Sequence, residues 1–393
     1  MNDGAVSAAK SPAAIRLDLL EAAEALVPVL RLRAPKAEAL RHCPEETVAD
    51  FAAWGLLRMC VPARFGGYEL PWDVLCEVSL VLARGCGAQA WVANIYNDHC
   101  QLLGQFGLEA QEDVWGKDRG ARLSASVEPT GKGRPVPGGV IYSGRHRYSS
   151  GIDHAHWLLC GGHLVADGKA PQQSYFLVPK SDVTVIDDWN VIGLAGTGSK
   201  SFEVKEVFVP AHRILDAVAS NEGTAPGAAI NKAALYRMPR HDIAGTGFAA
   251  IAVGIAEGFL DEYVTYTKSR SSRGIAIAEQ MGTQIGAGAS AAELMAASRL
   301  VLGSAREAMD VLERGGTLDM TQRKLTRLCS SYAAQLTLAA AQRLFNAAGG
   351  RALFVDSAMQ RQIRDLYAVT AHRGLAWDSS AANYGGVLLG TPT

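Results

Sequence analysis

At 393 residues the chain is long enough for two or three domains, and 48% apolar with 20% charged residues excludes a disordered polymer. A net charge of −1 offers no basic footprint for nucleic acid and no polybasic patch for a membrane surface. The seven cysteines are odd in number, scattered and free of any CxxC pair, which argues against a disulfide framework or a zinc site.

Met1 to Pro12 is small and polar, without the apolar core of a signal peptide, and no later apolar run is expected to span a bilayer. A reducing cytoplasm is the expected compartment. From Ile15 to Leu30 apolar residues recur at helical spacing. Pro44-Glu-Glu-Thr47 begins a second helix with Pro and acids in its first turn, and Gly55 ends it. Val61 to Tyr68 is a Pro/Gly-punctuated connection, followed by a helix from Trp72 to Ala83. Another runs from Ala88 to Phe106, its apolar pattern broken at Asn97-Asp98-His99.

From Arg122 the period changes to two. Short strands are expected at Leu123–Val127, Val140–Ser143, Trp157–Cys160, Ser174–Val178, Val183–Ile186 and Phe202–Val209, separated by Gly, Pro or Asp. That spacing predicts a small barrel or sandwich. Within it, Tyr142 to Trp157 reads as strand, tight turn, strand. Its turn, Ser149-Ser150-Gly151, sets two hydroxyls beside a bare backbone that a flat ligand can approach. His154 and His156, two apart on a predicted strand, would share a face, but with His163 they lack a carboxylate or Cys partner, so no metal is expected. After Pro210 long Ala/Leu-rich helices return at Ile243–Ser269, Gly286–Glu313 and Thr321–Ala347, suited to an antiparallel bundle. The predicted fold is α+β and mostly α: a helical domain over 1–118, a β domain over 119–215 and a helical bundle over 216–393.

Four places give this order a family resemblance. Ser124-Ala-Ser-Val-Glu-Pro129 resembles the "TEP" strand and turn of the acyl-CoA dehydrogenase fold. Tyr148 and Ser150 stand where that fold has an aromatic followed by Thr, and Val207-Phe-Val-Pro210 is similar to its "V-x-V-P" exit from the β domain. Ala347-Ala-Gly-Gly350 with Gln362-Ile-Arg-Asp365 resembles its Gly-Gly turn and "RD" helix. The resemblance implies the three-part architecture, with a C-terminal four-helix bundle that binds flavin and forms a homotetramer.

Three departures make the chain resemble the oxygenase component of two-component aromatic hydroxylases, the group D flavin monooxygenases, more than a dehydrogenase. Ala371, with His372 beside it, stands where a dehydrogenase carries its base. Gly193-Leu-Ala-Gly-Thr-Gly-Ser199 is similar to the "G-x-x-G-T-G-S" loop of phenol hydroxylases. The Ser149 to His154 segment and His99 also resemble those enzymes. The implied reaction inserts one oxygen atom of O2 into a phenolic or heteroaromatic molecule such as indole, through a flavin C4a-hydroperoxide. Reduced flavin, FMNH2 or FADH2, would come from a separate reductase; no nicotinamide fingerprint is present.

In that reading Ser150 is a donor near flavin N5, and His372 supplies a proton near neutral pH. His99 and Ser126 orient the substrate and stabilise a developing phenolate. The cofactor-binding set is Ser126, Tyr148, Ser150, Arg270, Arg273, Gly349 and Gly350. The two arginines suit flavin phosphates, and the glycines are a neighbouring subunit's contribution. The alternatives are an acyl-CoA dehydrogenase with a displaced base, for which Asp242 is the candidate, and a non-catalytic helical scaffold.

Overall fold

The computed structural model describes residues 10–391 apart from 167, 169 and 273. Four helices lead: α1 (Pro12–Leu40), α2 (Glu45–Ala53), α3 (Trp72–Gly85) and α4 (Gly87–Gly104). α1 begins where the Ser11 hydroxyl accepts from the Ala14 amide with Pro12 in the first turn, and it starts just ahead of the predicted segment and runs well beyond its end. Seven strands follow: β1 (Leu123–Val136), β2 (Gly139–Ser149), β3 (Trp157–Leu164), β4 (Gln172–Pro179), β5 (Val183–Ile186), β6 (Lys200–Pro210) and β7 (Ile214–Asp216).

Among the described residues these strands form one sheet in the order β5-β6-β2-β1-β3-β4-β7, with β1 parallel to β3 and the other pairs antiparallel. The predicted strand–turn–strand at Tyr142 to Trp157 is therefore no hairpin. β1 lies between β2 and β3, and the turn carries the chain across it. Period-two alternation sorts the side chains cleanly. Leu158, Cys160, Phe176, Val178, Phe202 and Val204 build a separate core on one face, while Leu123, Ala125, Leu159 and Leu177 join the large core shared with the helices. β4 also approaches β6, so the sheet curls about its own core as a small open barrel would.

Short helices α5 (Leu108–Gln111), α6 (Ala217–Asn221), α7 (Pro226–Ile230) and α8 (Arg240–Ile243) connect to the bundle of α9 (Gly245–Lys268), α10 (Met281–Glu313), α11 (Met320–Ala348), α12 (Ala358–Thr370) and α13 (Trp377–Leu389). Contrary to the sequence expectation, two stretches are long and apolar enough to cross a membrane: Arg240–Lys268 and Met281–Glu313. The first is 89% buried inside the fold, because α9 is the central bundle helix, packed on α3, α10, α11 and α12. α4 is the other central element. All of its residues are buried among α1, α3, α9 and β1, so its polar residues face protein rather than bulk water.

Candidate active site

The polar break in α4 meets the bundle at one place. Asp98 forms a buried ion pair with Arg240 of α8, and the Asp98 Oδ1 and Arg240 Nε atoms are left without protein partners. Buried polar atoms are nearly always satisfied, so the two unpartnered atoms of this pair are an exception among the described residues. His99 lies beside it, with Nε2 3.9 Å from Asp98 Oδ2. Burial pushes the His99 imidazole down to about 4, opposed by the Asp98 carboxylate and assisted by the Arg240 guanidinium. Its Nδ1 lies 3.0 Å from the Leu123 carbonyl, which only accepts. The neutral ring therefore carries its proton on Nδ1 and presents the Nε2 lone pair.

His372, just beyond α12, has the opposite polarity. Its Nδ1 accepts from the Gly374 amide at 3.1 Å, which places the proton of the neutral ring on Nε2. The ring rests on Phe248 (centroids 4.3 Å apart), and Phe248 stacks on Trp91 at 4.7 Å with 15° between planes. Burial pushes His372 down to about 4, with Asp98 and Arg240 again acting in opposite senses. That direction favours the uncharged ring, which donates through Nε2. Trp91, Phe248 and the Asp98–Arg240 pair were not singled out from the sequence. The signal for Asp98 was its charge within an otherwise apolar helix.

Trp91 leads to the predicted turn. Its indole Nε1–H donates to Ser150 Oγ at 3.0 Å, Ser150 Oγ lies 2.6 Å from Ser199 Oγ, and Ser199 Oγ lies 2.6 Å from Thr197 Oγ1. The hydroxyls belong to the Ser149-Ser150-Gly151 turn and the Gly193–Ser199 loop, so two segments singled out for resemblance meet. The loop is tied to α12, where Asp365 Oδ1 accepts from the Leu194 amide at 2.6 Å. Gly151, at φ +70°, leaves room for Tyr96, whose hydroxyl donates to the Gly151 carbonyl at 2.7 Å.

The other expected residues distribute unevenly. Ser126 sits on β1 where the pairing with β3 breaks, two residues from Ser124, whose hydroxyl reaches Ser149 and the Ser150 carbonyl. His99 bonds Leu123 rather than Ser126. Tyr148 is 69% exposed at φ 62° and stands edge-on to Trp189. Arg270 lies at the other end of α9 over the Tyr266 ring and donates to the Ala348 carbonyl at 3.1 Å. It is therefore next to the exposed Gly349 and Gly350 of the same chain, and one patch contains both expected phosphate-site elements. Arg273 lies outside the described residues.

Two expectations are overturned. His154 ends a short helical turn (Ile152–His154) and bonds the Cys43 carbonyl, while His156 accepts from the Arg122 amide, so the two do not line one strand face. Among the described residues no His, Cys, Asp or Glu cluster could hold a metal ion. Asp242 is no displaced base. Its carboxylate is buried against Arg323 at 2.6 Å, with Lys324 at 3.5 Å, and hydrogen bonds from His241 and Arg323 together with these charges overcome the cost of burial and hold it well below the usual carboxylate range.

Residues 21–118 and 246–377 match the family models for the acyl-CoA dehydrogenase N-terminal and C-terminal domains. The flavin-dependent monooxygenase oxygenase subunit HsaA of Rhodococcus jostii is 33% identical, over 94% of this chain and 97% of that protein. The chain belongs to the flavin-dependent monooxygenase oxygenase subunits. Another member, the oxygenase component of an FADH2-dependent resorcinol hydroxylase from a Rhizobium species, is 31% identical over 92% of this chain and 91% of its own. The crystal structure of 3-HSA hydroxylase from Rhodococcus sp. RHA1 superposes with a TM-score of 0.92 at 33% identity, covering 96% of this chain and 97% of that one. As a monooxygenase of this family the chain has the acyl-CoA dehydrogenase architecture without a dehydrogenase base at Ala371 or Asp242.

Proposed function

We propose that this monooxygenase hydroxylates a phenolic or heteroaromatic small molecule in the pocket bounded by His99, His372, Trp91 and Phe248. One observation carries the reading: His99 offers a lone pair beside the buried Asp98–Arg240 pair, and His372, within reach of the same charges, offers a proton from the Phe248–Trp91 wall. His99 Nε2 accepts the substrate O–H or ring N–H. If the proton transfers, the imidazolium formed lies beside the Asp98 carboxylate, which favours it. Ser126 lies on the strand whose Leu123 carbonyl positions His99. His372 Nε2–H donates into the space beside Phe248, and the surrounding helices exclude bulk water.

The residues fit a flavin. Ser150 lies beside an aromatic wall, Tyr148 and Trp189 form an aromatic edge, and the Arg270 fork suits FMN or FAD phosphates. Bound reduced flavin supplies two electrons and activates O2, so an aromatic C–H, O2 and reduced flavin become C–OH, water and oxidised flavin. A separate reductase supplies the reduced cofactor. Gly349 and Gly350, exposed beside Arg270, complete a neighbouring subunit's phosphate site in a homotetramer. Domains over 1–118, 119–215 and 216–393 and a cytoplasmic location complete the reading, the latter in keeping with seven free cysteines.

The test supplies reduced flavin and ¹⁸O2 to the protein with a panel of phenols and indoles. A product carrying one ¹⁸O atom is expected. Oxidation of an acyl-CoA to its enoyl form in place of that product would overturn the proposal.

A further inference from the structure

The interior that holds both site imidazoles contains an anion and a cation, each committed to the other. Asp98 of α4 pairs with Arg240 of α8, and their side chains are 2% and 11% exposed. His99 Nε2 lies 3.9 Å from Asp98 Oδ2, and the charges acting on that ring are those of Asp98 and Arg240, in opposite senses. The same two charges act on His372, which comes from the segment after α12. They also act on Tyr175 of β4, which is buried: burial pushes its phenol up, with Arg240 acting against that shift and Asp98 with it. Residues from α4, α8, β4 and the segment after α12 therefore meet around a pair whose charges sum to zero. Burial favours the uncharged form of both imidazoles, which then add nothing to that sum.

We propose that the Asp98–Arg240 pair makes this site select uncharged aromatic substrates and exclude those that carry an ionised carboxylate or ammonium group. The inference rests on the reading that substrate lies beside His99, and it narrows the phenolic or heteroaromatic class by charge. A carboxylate brought into this interior loses its hydration and finds Arg240 already held by Asp98. An ammonium group finds Asp98 already held by Arg240. To gain a counter-charge, either ion must pull the pair apart and leave the abandoned partner buried and unpaired. An uncharged phenol or indole meets neither cost, because the His99 Nε2 lone pair can accept from its O–H or N–H. Asp98 thus masks a guanidinium that would otherwise attract anions, and the selectivity comes from exclusion rather than from added attraction.

The test measures kcat/KM for product formation, with reduced flavin and O2 supplied, over two series matched in size. One series is 4-hydroxyphenylacetamide, 4-hydroxyphenylacetate and tyramine; the other is indole-3-acetamide, indole-3-acetate and tryptamine. Wild type should favour each amide over both ions by roughly 10²-fold or more, as expected if binding an ion breaks a buried pair. Asp98→Asn keeps the shape and an oxygen that can accept from Arg240 but removes the anion. It should raise the carboxylates relative to the amides by about tenfold or more and leave the amines excluded. Arg240→Gln removes the cation and should raise the amines instead. A merely structural role for the pair would lower all members of a series alike and would not give opposite shifts in the two variants. Wild type that prefers either ion overturns the proposal without recourse to variants, and so does an unchanged order within each series in both variants. Wild type that forms no product from any member of either series, or from any other phenol or indole, would overturn the reading of the site itself; product formed without a preference for the amides would overturn only the selection by charge.

Discussion

His99 and His372 set what acid does to this enzyme. Burial pushes both imidazoles down to about 4, so neither should impose an inflection on product formation near pH 6.5. His372→Asn keeps an N–H donor that cannot titrate and should retain most of the activity, whereas His372→Ala should lose it. Product rates across pH 5 to 8 provide the check, and a wild-type inflection near 6.5 that His372→Asn abolishes would refute a neutral donor. His99→Ala removes the substrate's acceptor and should cut product formation roughly 10²–10⁴-fold while flavin affinity holds; a variant that loses flavin instead would return His99 to the core. The same ring affects folding. Its pKa is depressed in the fold, so the unfolded chain binds more protons between about 4 and 6.5. Stability is full above 6.5 and falls with pH toward 4, by at most about 3 kcal/mol for His99. Urea unfolding at pH 7 and pH 4.5 measures this, and equal midpoints would contradict it.

At the scale of elements, the turn at Gly151 is where sheet and α4 lock. A Cβ there would lie 2.8 Å from the Tyr96 hydroxyl, and φ is already +70°. Gly151→Ala should cost about 1–3 kcal/mol in chemical denaturation, and Tyr96→Phe about 1 kcal/mol, because the Gly151 carbonyl keeps only the His154 amide as donor. Losses under about 0.5 kcal/mol would mean the turn tolerates both. The helices were legible because apolar spacing reports burial directly, and Val183–Ile186 because its β-branched residues favour a strand. β1 was predicted to end at Val127 yet runs to Val136, because its second half is held by backbone pairing with Gly139–Ser143, which side-chain pattern does not record. The exchange of neighbours that puts β1 between β2 and β3 is a non-local register, equally silent in sequence. In the site, Ser150, His99 and His372 were visible as polar residues where resemblance expected them. Trp91 and Phe248 read as ordinary core, and Asp98 meets Arg240 only through pairing across 142 positions.

Across the whole molecule, the bundle leaves apolar surface uncovered. On α10, Met281, Ile285 and Met295 are exposed, and Gly282 and Gly288 have open space before them. α13 buries only Ser380 and exposes Leu388 and Leu389. Exposed apolar side chains on two bundle helices suit an interface, and the homotetramer proposed above would cover them. Sedimentation should give a species four times the 41.6 kDa protomer, and Ile285→Asp with Leu388→Asp should shift it to smaller species. A wild-type monomer would disprove the assembly and, with it, the shared phosphate site.

The burial of α4 has a consequence for how such an enzyme changes. A helix with no free side cannot be revised one residue at a time, because each replacement must satisfy helices above and a sheet below at once. Asp98 and His99 are thus fixed in the foundation of the pocket. The surface is looser: Tyr148 stands exposed against Trp189, and Glu128 pairs with Arg373 in open solvent. Adaptation to a bulkier or differently charged aromatic therefore has its freedom in residues outside α4, so a lineage can change its diet while keeping its chemistry.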